Sequence, residues 1–330
     1  MIYGTRSLKN NYYIILFQID LCLMEVMIKN GGKQMSKRRS KKNDKHIVTI
    51  ISFIIVLATA IFGGELFLKT NKNSQAVQTS NTVLSDKLEV DFIDVGQADS
   101  ILVSNKNETM LIDAGNNENG KDVVDFVKSK GITKINYLVG THPHADHIGG
   151  LDDVINSDLE IENVYMPKIQ TNTKTFEDVL DALNNKNLKV TAPKKGDTFK
   201  IGDANCEIMT DSILDKENLN LSSITIKLQF GDKSFLFMGD SEAENEKTIN
   251  WPKVDVLKVG HHGSNTSSSQ DFLNQVKPEY AIIMAGKDNS YGLPKQKILD
   301  RLTKTGAKIF RTDELGTITV ISDGITIEVK

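Results

Sequence analysis

Cysteine is nearly absent: Cys22 and Cys206 are the two in 330 residues, and they lie far apart in unlike surroundings. That excludes a disulfide framework and a cysteine-rich zinc site, so any metal here must be held by imidazole and carboxylate. An excess of charge is lacking too. The net charge is −3, so no global basic field marks a nucleic-acid binder. A nucleic-acid substrate stays open, because a bound metal can carry the positive charge locally. Histidine is scarce, with six residues, and none falls between 151 and 260. No segment repeats at a fixed period, and long apolar runs are confined to one place near the N-terminus.

That run defines an address. Residues 47–64 contain no charged side chain and follow the basic stretch "SKRRSKKNDK" (36–45). An apolar segment of about 20 residues spans a bilayer as a helix, and the basic flank places the N-terminal side in the cytoplasm. Residues 47–68 are therefore expected to be a transmembrane helix behind a basic segment at 35–46, with the rest of the chain exported. The competing reading is a signal peptide cleaved near "ATA" (58–60), which would release the protein. Targeting sequences normally open on their basic region, so Met35 reads as a natural start and residues 1–34 as an extension or disordered segment. The polar, Asn/Ser/Thr-rich stretch 69–87 reads as a flexible linker.

From residue 88 the pattern is that of one α/β domain. "LEVDFIDV" (88–95), "TMLIDAG" (109–115), "INYLVGT" (135–141), "VDVLKVG" (254–260) and "EYAIIMAG" (279–286) are short apolar runs of strand character. "VVDFVKSKG" (123–131) has helical spacing and a glycine stop, and helices are also expected at "QDFLNQV" and "KQKILDRL". Residues 222–240 and 316–329 read as hairpins turning at "GDK" and "SDG".

Five of the six histidines crowd into two strand-end loops, "THPHADHIGG" (141–150) and "KVGHHG" (258–263). His142 and His144 are two apart, so on an extended segment both project to one side. Asp146 and His147 follow as neighbours on a turning segment and reach a different point. That spacing suits two metal ions, a His-His pair for one and an Asp-His pair for the other. Asp240, closing "FMGD", is placed to bridge them, and His261 to complete the second. A lone histidine or a turn aspartate is ordinary surface or turn chemistry; three imidazoles and a carboxylate in six positions are not.

These words together resemble the metallo-β-lactamase fold, and "FIDVGQADSILV", "LIDAG", "LKVGHHGSNTSS", "YGLP" and "RTDELGTITV" narrow the resemblance to the hydrolase domain of competence protein ComEC, in order across 88–330. The chain lacks the multi-helix channel of that family, having one apolar span. The resemblance implies a four-layer αβ/βα sandwich over 88–330. It also implies two divalent metals, zinc first and manganese as the alternative. His142 and His144 would hold one, and Asp146 and His147 the other. Asp240 would bridge, His261 would serve ahead of His262, and Asp113 would orient the cluster from behind. The sequence departs from the pattern where many relatives carry a further histidine before the bridging aspartate; Asp211 falls near that place. Leu293 and Ala98 stand where His and Gly are usual.

The expected function is a membrane-anchored, extracytoplasmic hydrolase acting on phosphodiesters, DNA or a cell-wall polymer among them, with a metal-activated water as nucleophile. Asp146 and Asp240 are the residues expected nearest that chemistry, and Lys258, Lys287 and Lys295 could meet phosphate or be solvated surface lysines. The alternative is a surface binding or assembly module with a degenerate metal site. No protein partner is implied.

Overall fold

The alternation of side chains along each strand sorts the core into layers. The structure, a computed structural model, describes residues 86–330; the segments expected at 1–34, 35–46 and 47–68 and nearly all of the linker lie outside the described residues. Strands β1 (Leu88–Phe92), β2 (Ile101–Asn105), β3 (Glu108–Ile112), β4 (Lys134–Val139), β5 (Glu160–Tyr165) and β6 (Val190–Thr191) lie side by side in one sheet. Within it β1 to β3 pair antiparallel and β3 to β6 parallel. A second sheet takes β7 (Thr198–Ile201), β8 (Ala204–Ile208), β9 (Ile226–Phe230), β10 (Lys233–Phe237), β11 (Val256–Lys258), β12 (Tyr280–Ile283) and β13 (Lys308–Arg311). The chain then returns to the first sheet, where β14 (Ile318–Ser322) pairs with β1 and β15 (Ile327–Val329) forms the edge.

Successive strand residues point to opposite faces. Val90, Phe92, Ile101, Val103, Met110 and Ile112 of the first sheet meet Ile226, Leu228, Phe235, Phe237, Val256 and Ile282 of the second in one buried cluster. The rings of Phe92 and Phe237 stand 6.3 Å apart between the sheets. The intervening residues face outward. Leu102, Leu111 and Leu138 pack beneath α1 (Gly120–Ser129), α2 (Ala145–Ile148), α3 (Leu151–Asn156) and α4 (Lys174–Asn185). After the single turn α5 (Ala243–Glu246), α6 (Gln270–Val276) and α7 (Gln296–Thr305) cover Leu236, Leu257, Ala281 and Ile283 on the far side. A last turn, α8 (Thr312–Leu315), precedes β14. The order is helix, sheet, sheet, helix. Strands buried on both faces are why the sequence shows continuous apolar runs there and not a polar alternation.

Helix ends follow local chemistry. Thr173 and Ser269 cap α4 and α6, each accepting from the backbone N–H three residues on, and α7 stops at Gly306 with φ of +83°. Both expected hairpins form, β9–β10 turning at Gly231–Asp232 and β14–β15 further on. The sequence predicts no element between 142 and 221; β5, β6, α4 and the β7–β8 hairpin lie there. No helix among the described residues is long and apolar enough to cross a membrane.

Candidate metal centre

Four strands deliver the site. Asp113 follows β3, Thr141 and His142 follow β4, Asp240 follows β10, and Gly260 to Gly263 follow β11. Because β3 runs parallel to β4, and β10 to β11, their carboxyl ends open on the same edge of each sheet, the usual place for a site in such folds. Gly150 allows the His-rich loop to settle there: a Cβ on it would lie 2.4 Å from the Ala114 carbonyl oxygen and 2.6 Å from Gly120 Cα.

His142 Nε2 and His144 Nδ1 converge to 3.0 Å, and Asp240 Oδ2 lies 4.0 Å from His142 Nε2. Two imidazole nitrogens on one tetrahedral metal stand about 3.3 Å apart at ordinary bond lengths, so this spacing, that of a ring-to-ring hydrogen bond, is also compatible with co-ligands. His142 is fully buried, and its other nitrogen lies 3.1 Å from the Thr141 hydroxyl and 3.4 Å from that of Ser223. Burial holds His142 well below the usual histidine range, with the neighbouring His147 adding to it, and burial lowers His144 as well. Both shifts favour the neutral imidazole, the form that coordinates a metal.

A second cluster adjoins the first. Asp146, His147, Asp240 and His262 offer one ligand atom each, all within 4.8 Å of one another. His147 Nε2 lies 3.3 Å from Asp240 Oδ1, and His262 Nε2 lies 3.4 Å from Asp146 Oδ2 and 3.6 Å from Asp240 Oδ2. Each imidazole is aimed from behind. His147 Nδ1 donates to Asp113 Oδ2 at 2.8 Å, and Asp113 also accepts from the Thr141 N–H at 2.8 Å and hydroxyl at 2.7 Å. His262 Nδ1 donates to the Met284 carbonyl at 2.9 Å. These bonds leave Nε2 of both rings directed at the cluster, the arrangement found behind metal-bound histidines. His147 Nε2, His262 Nε2 and Asp240 Oδ1 are buried without a hydrogen-bond partner. Such orphans are costly unless something else satisfies them.

The charge balance points the same way. Asp99, Asp113, Asp146 and Asp240 surround the cluster, and the buried cation set against them is Lys258, which pairs with Asp99, donates to the Gly239 carbonyl at 3.1 Å and lies 4.0 Å from Asp240 Oδ1. Burial alone would raise Asp240, but His147 and His262 outweigh it and hold the carboxyl well below its usual range. Burial alone would depress His262, yet Asp240 and Asp99 push it up to about 10, and His147 is raised by Asp240 and Asp113 against its own burial. Burial raises Asp113, while His147 and the Thr141 N–H act in the opposite direction. A carboxylate-rich pocket that draws protons onto buried imidazoles will draw a divalent cation by the same field. The donor set fits two such ions.

The structure redistributes some expected roles. His262 takes the inner position expected for His261. Both residues adopt left-handed backbone, φ of +50° and +51°, and this turn swings His262 inward. It leaves His261 at the rim, with Nε2 3.7 Å from Asp240 and Nδ1 2.9 Å from the Thr266 hydroxyl. Asp211 does not reach the site: it is exposed and accepts the Lys195 N–H at 3.0 Å. The residue beside the His-His pair is Asn220. Lys258 is fully buried and cannot meet a substrate; Lys287 lies in the groove next to the site. Asp99, in "GQADS", draws no role from the sequence; it is buried beside His147, Lys258 and His262.

A model of the metallo-beta-lactamase superfamily matches residues 93–287. The chain belongs to this superfamily. Over 257 residues it is 33% identical to ComE operon protein 3 of Bacillus subtilis, covering 71% of this chain and 33% of that protein. Recombination protein 2 of Haemophilus influenzae is 28% identical over 246 residues, 70% of this chain and 28% of its own length. The chain thus spans about a third of the curated relatives it matches. Among solved structures, the metallo-beta-lactamase fold protein YhfI from Bacillus subtilis is 11% identical, with a TM-score of 0.48 and coverage of 68% and 95%. In this superfamily member the cleft over the cluster, about 290 Å³, is lined by Gln97, His144, Asp146 and His261, with Tyr291 and Leu293 at its mouth. Leu293 thus lines the cleft with an apolar side chain.

Proposed function

We propose that the domain is a dinuclear metal-dependent phosphodiesterase, held outside the cytoplasm by the segment 47–68. The observation that carries this reading is the ligand group Asp146, His147, Asp240 and His262, three of whose buried atoms lack a hydrogen-bond partner, with the His142–His144 pair reaching the same Asp240. His142, His144 and Asp240 would hold one ion, and Asp146, His147, Asp240 and His262 the other. Two such ions, when bound, supply Lewis-acid polarisation of a phosphoryl oxygen and activation of water at neutral pH. Zinc and manganese both suit imidazole and carboxylate donors.

The chain's own residues prepare that chemistry. Asp113 fixes the tautomer of His147, and Lys258 neutralises Asp99, which would otherwise compete for the imidazole of His262. Asp146, partly open to the cleft, is the carboxylate best placed to accept a proton from the attacking water. Relatives named for competence and recombination, among them competence protein ComA of Neisseria gonorrhoeae, support DNA as the leading substrate, with a cell-wall phosphodiester polymer next. The basic flank at 36–45 supports an outward-facing domain.

The test is metal analysis of the full-length protein in detergent together with its action on linear DNA and on a chromogenic phosphodiester. About two metals per chain and metal-dependent cleavage of either substrate are expected. No metal after exchange with zinc and manganese would instead make the domain a binding module.

A further inference from the structure

One buried amide near the His142–His144 pair is revealed by no histidine pattern. Asn220 sits in a single 3-10 turn, Leu219–Ser222, just before β9, and is 7% exposed. That turn is clamped to the cluster. Its carbonyl accepts from the N–H of Ser223 at 3.0 Å, and the Ser223 hydroxyl accepts from the Asp240 N–H at 3.1 Å and lies 3.4 Å from His142 Nδ1. The orientation of the carboxamide is decided by Glu242. A carboxylate only accepts, and its Oε1 lies 3.2 Å from Asn220 Nδ2, so the nitrogen must face Glu242. Nδ2 also lies 3.3 Å from His261 Nδ1, so the oxygen is left on the opposite side of the amide, and the side chain is within reach of His144.

Asn220 Oδ1 is buried and has no hydrogen-bond partner. It shares that condition with His147 Nε2, His262 Nε2 and Asp240 Oδ1, the atoms of the second ligand set. A buried amide oxygen is costly to leave unsatisfied, and the turn that carries it is joined through Ser223 to His142 and Asp240.

We propose that Asn220 Oδ1 is the fourth protein ligand of the ion held by His142, His144 and Asp240. This rests on the two-metal reading above. Two consequences follow from donor chemistry. The first set holds three neutral donors and a shared carboxylate, whereas the second holds Asp146 as well, so the first ion remains the looser one. A carbonyl oxygen is also a harder donor than imidazole and suits manganese better than a histidine would.

The experiment is a chelator titration of the full-length protein, read by metal content, on wild type, Asn220→Ala, Asn220→Asp and Asn220→His. Melting temperature serves as a control for folding. Asn220→Ala should weaken the looser ion at least about tenfold, the scale of losing even an outer partner of a metal site, with the tighter ion and the melting temperature of the fully chelated protein unchanged. Asn220→Asp should hold the looser ion at least as tightly as wild type, and Asn220→His should raise its affinity for zinc relative to manganese. An unchanged titration of Asn220→Ala in a protein that still binds two ions would overturn the assignment. Equal weakening of both ions with a lowered melting temperature would also overturn it, assigning Asn220 a structural part only. A wild-type protein that binds fewer than two ions would instead sink the two-metal reading itself.

Discussion

His261 and His262 differ by one position and by everything that matters to their chemistry. The inner ring is fully enclosed, aimed by the Met284 carbonyl and flanked by Asp99, Asp146 and Asp240. The outer ring lies near Thr266 and Glu242 at the mouth of the cleft. His262→Ala should therefore abolish binding of the tighter ion and lower phosphodiester cleavage by at least about 10²-fold. His261→Ala should keep both metals and change kcat by less than about tenfold, its effect falling on KM. Losing a group that meets only the transition-state machinery moves kcat, whereas losing a rim contact moves substrate binding. Metal content and steady-state kinetics of the two variants check this, and the reverse pattern would return the inner role to His261. The two histidines cannot be told apart by residue type or spacing. Left-handed backbone at non-glycine residues is uncommon and is sustained only by the surrounding structure.

At the scale of elements, the strand ends carry the site and the helix starts hold the outer layers in place. Glu246, at the end of α5, accepts from the N–H groups of Ser268 and Ser269 and so supports the start of α6. Removing both acceptor oxygens with Glu246→Ala would leave two donors unsatisfied at a cost of about 1–3 kcal/mol, which in a domain of this size lowers the melting temperature by roughly 2–12 °C. Calorimetry should show that loss with the metal stoichiometry intact. Strands ending in His or Asp were legible as such, since apolar runs closed by turn residues have few other readings. The β7–β8 hairpin and α4 carry equally local signals. Alternation about Gly202 and apolar residues at 176, 179 and 183 behind Thr173 lie in the sequence, but neither bears a chemical residue that draws notice. Asp211 illustrates the opposite error, a suitable residue type whose loop runs along the surface.

At the largest scale, the described domain is a sandwich whose two sheets both contribute to the candidate metal site, so bound ions and the fold should stabilise one another. An ion present at 100 times its dissociation constant adds about 2.7 kcal/mol, or roughly 5–10 °C in melting temperature. Adding zinc or manganese to chelated protein should raise the melting temperature by that amount. Chelator should remove the ions in two steps, the His142–His144 ion first and activity with it. A single step, or a melting temperature indifferent to metal, would count against the shared site. By itself the sequence determined the candidate ligand types, the two-plus-two spacing of His142, His144, Asp146 and His147, and the layered α/β class, because residue chemistry and strand periodicity are local properties of the chain. Only the tertiary structure decided that His262 is the inner ring, that Lys258 is a buried counter-ion to Asp99, and that Asn220 stands beside His144. Each depends on where separate loops meet after the sheets close, and on burial, which turns an ordinary amide or lysine into part of a site.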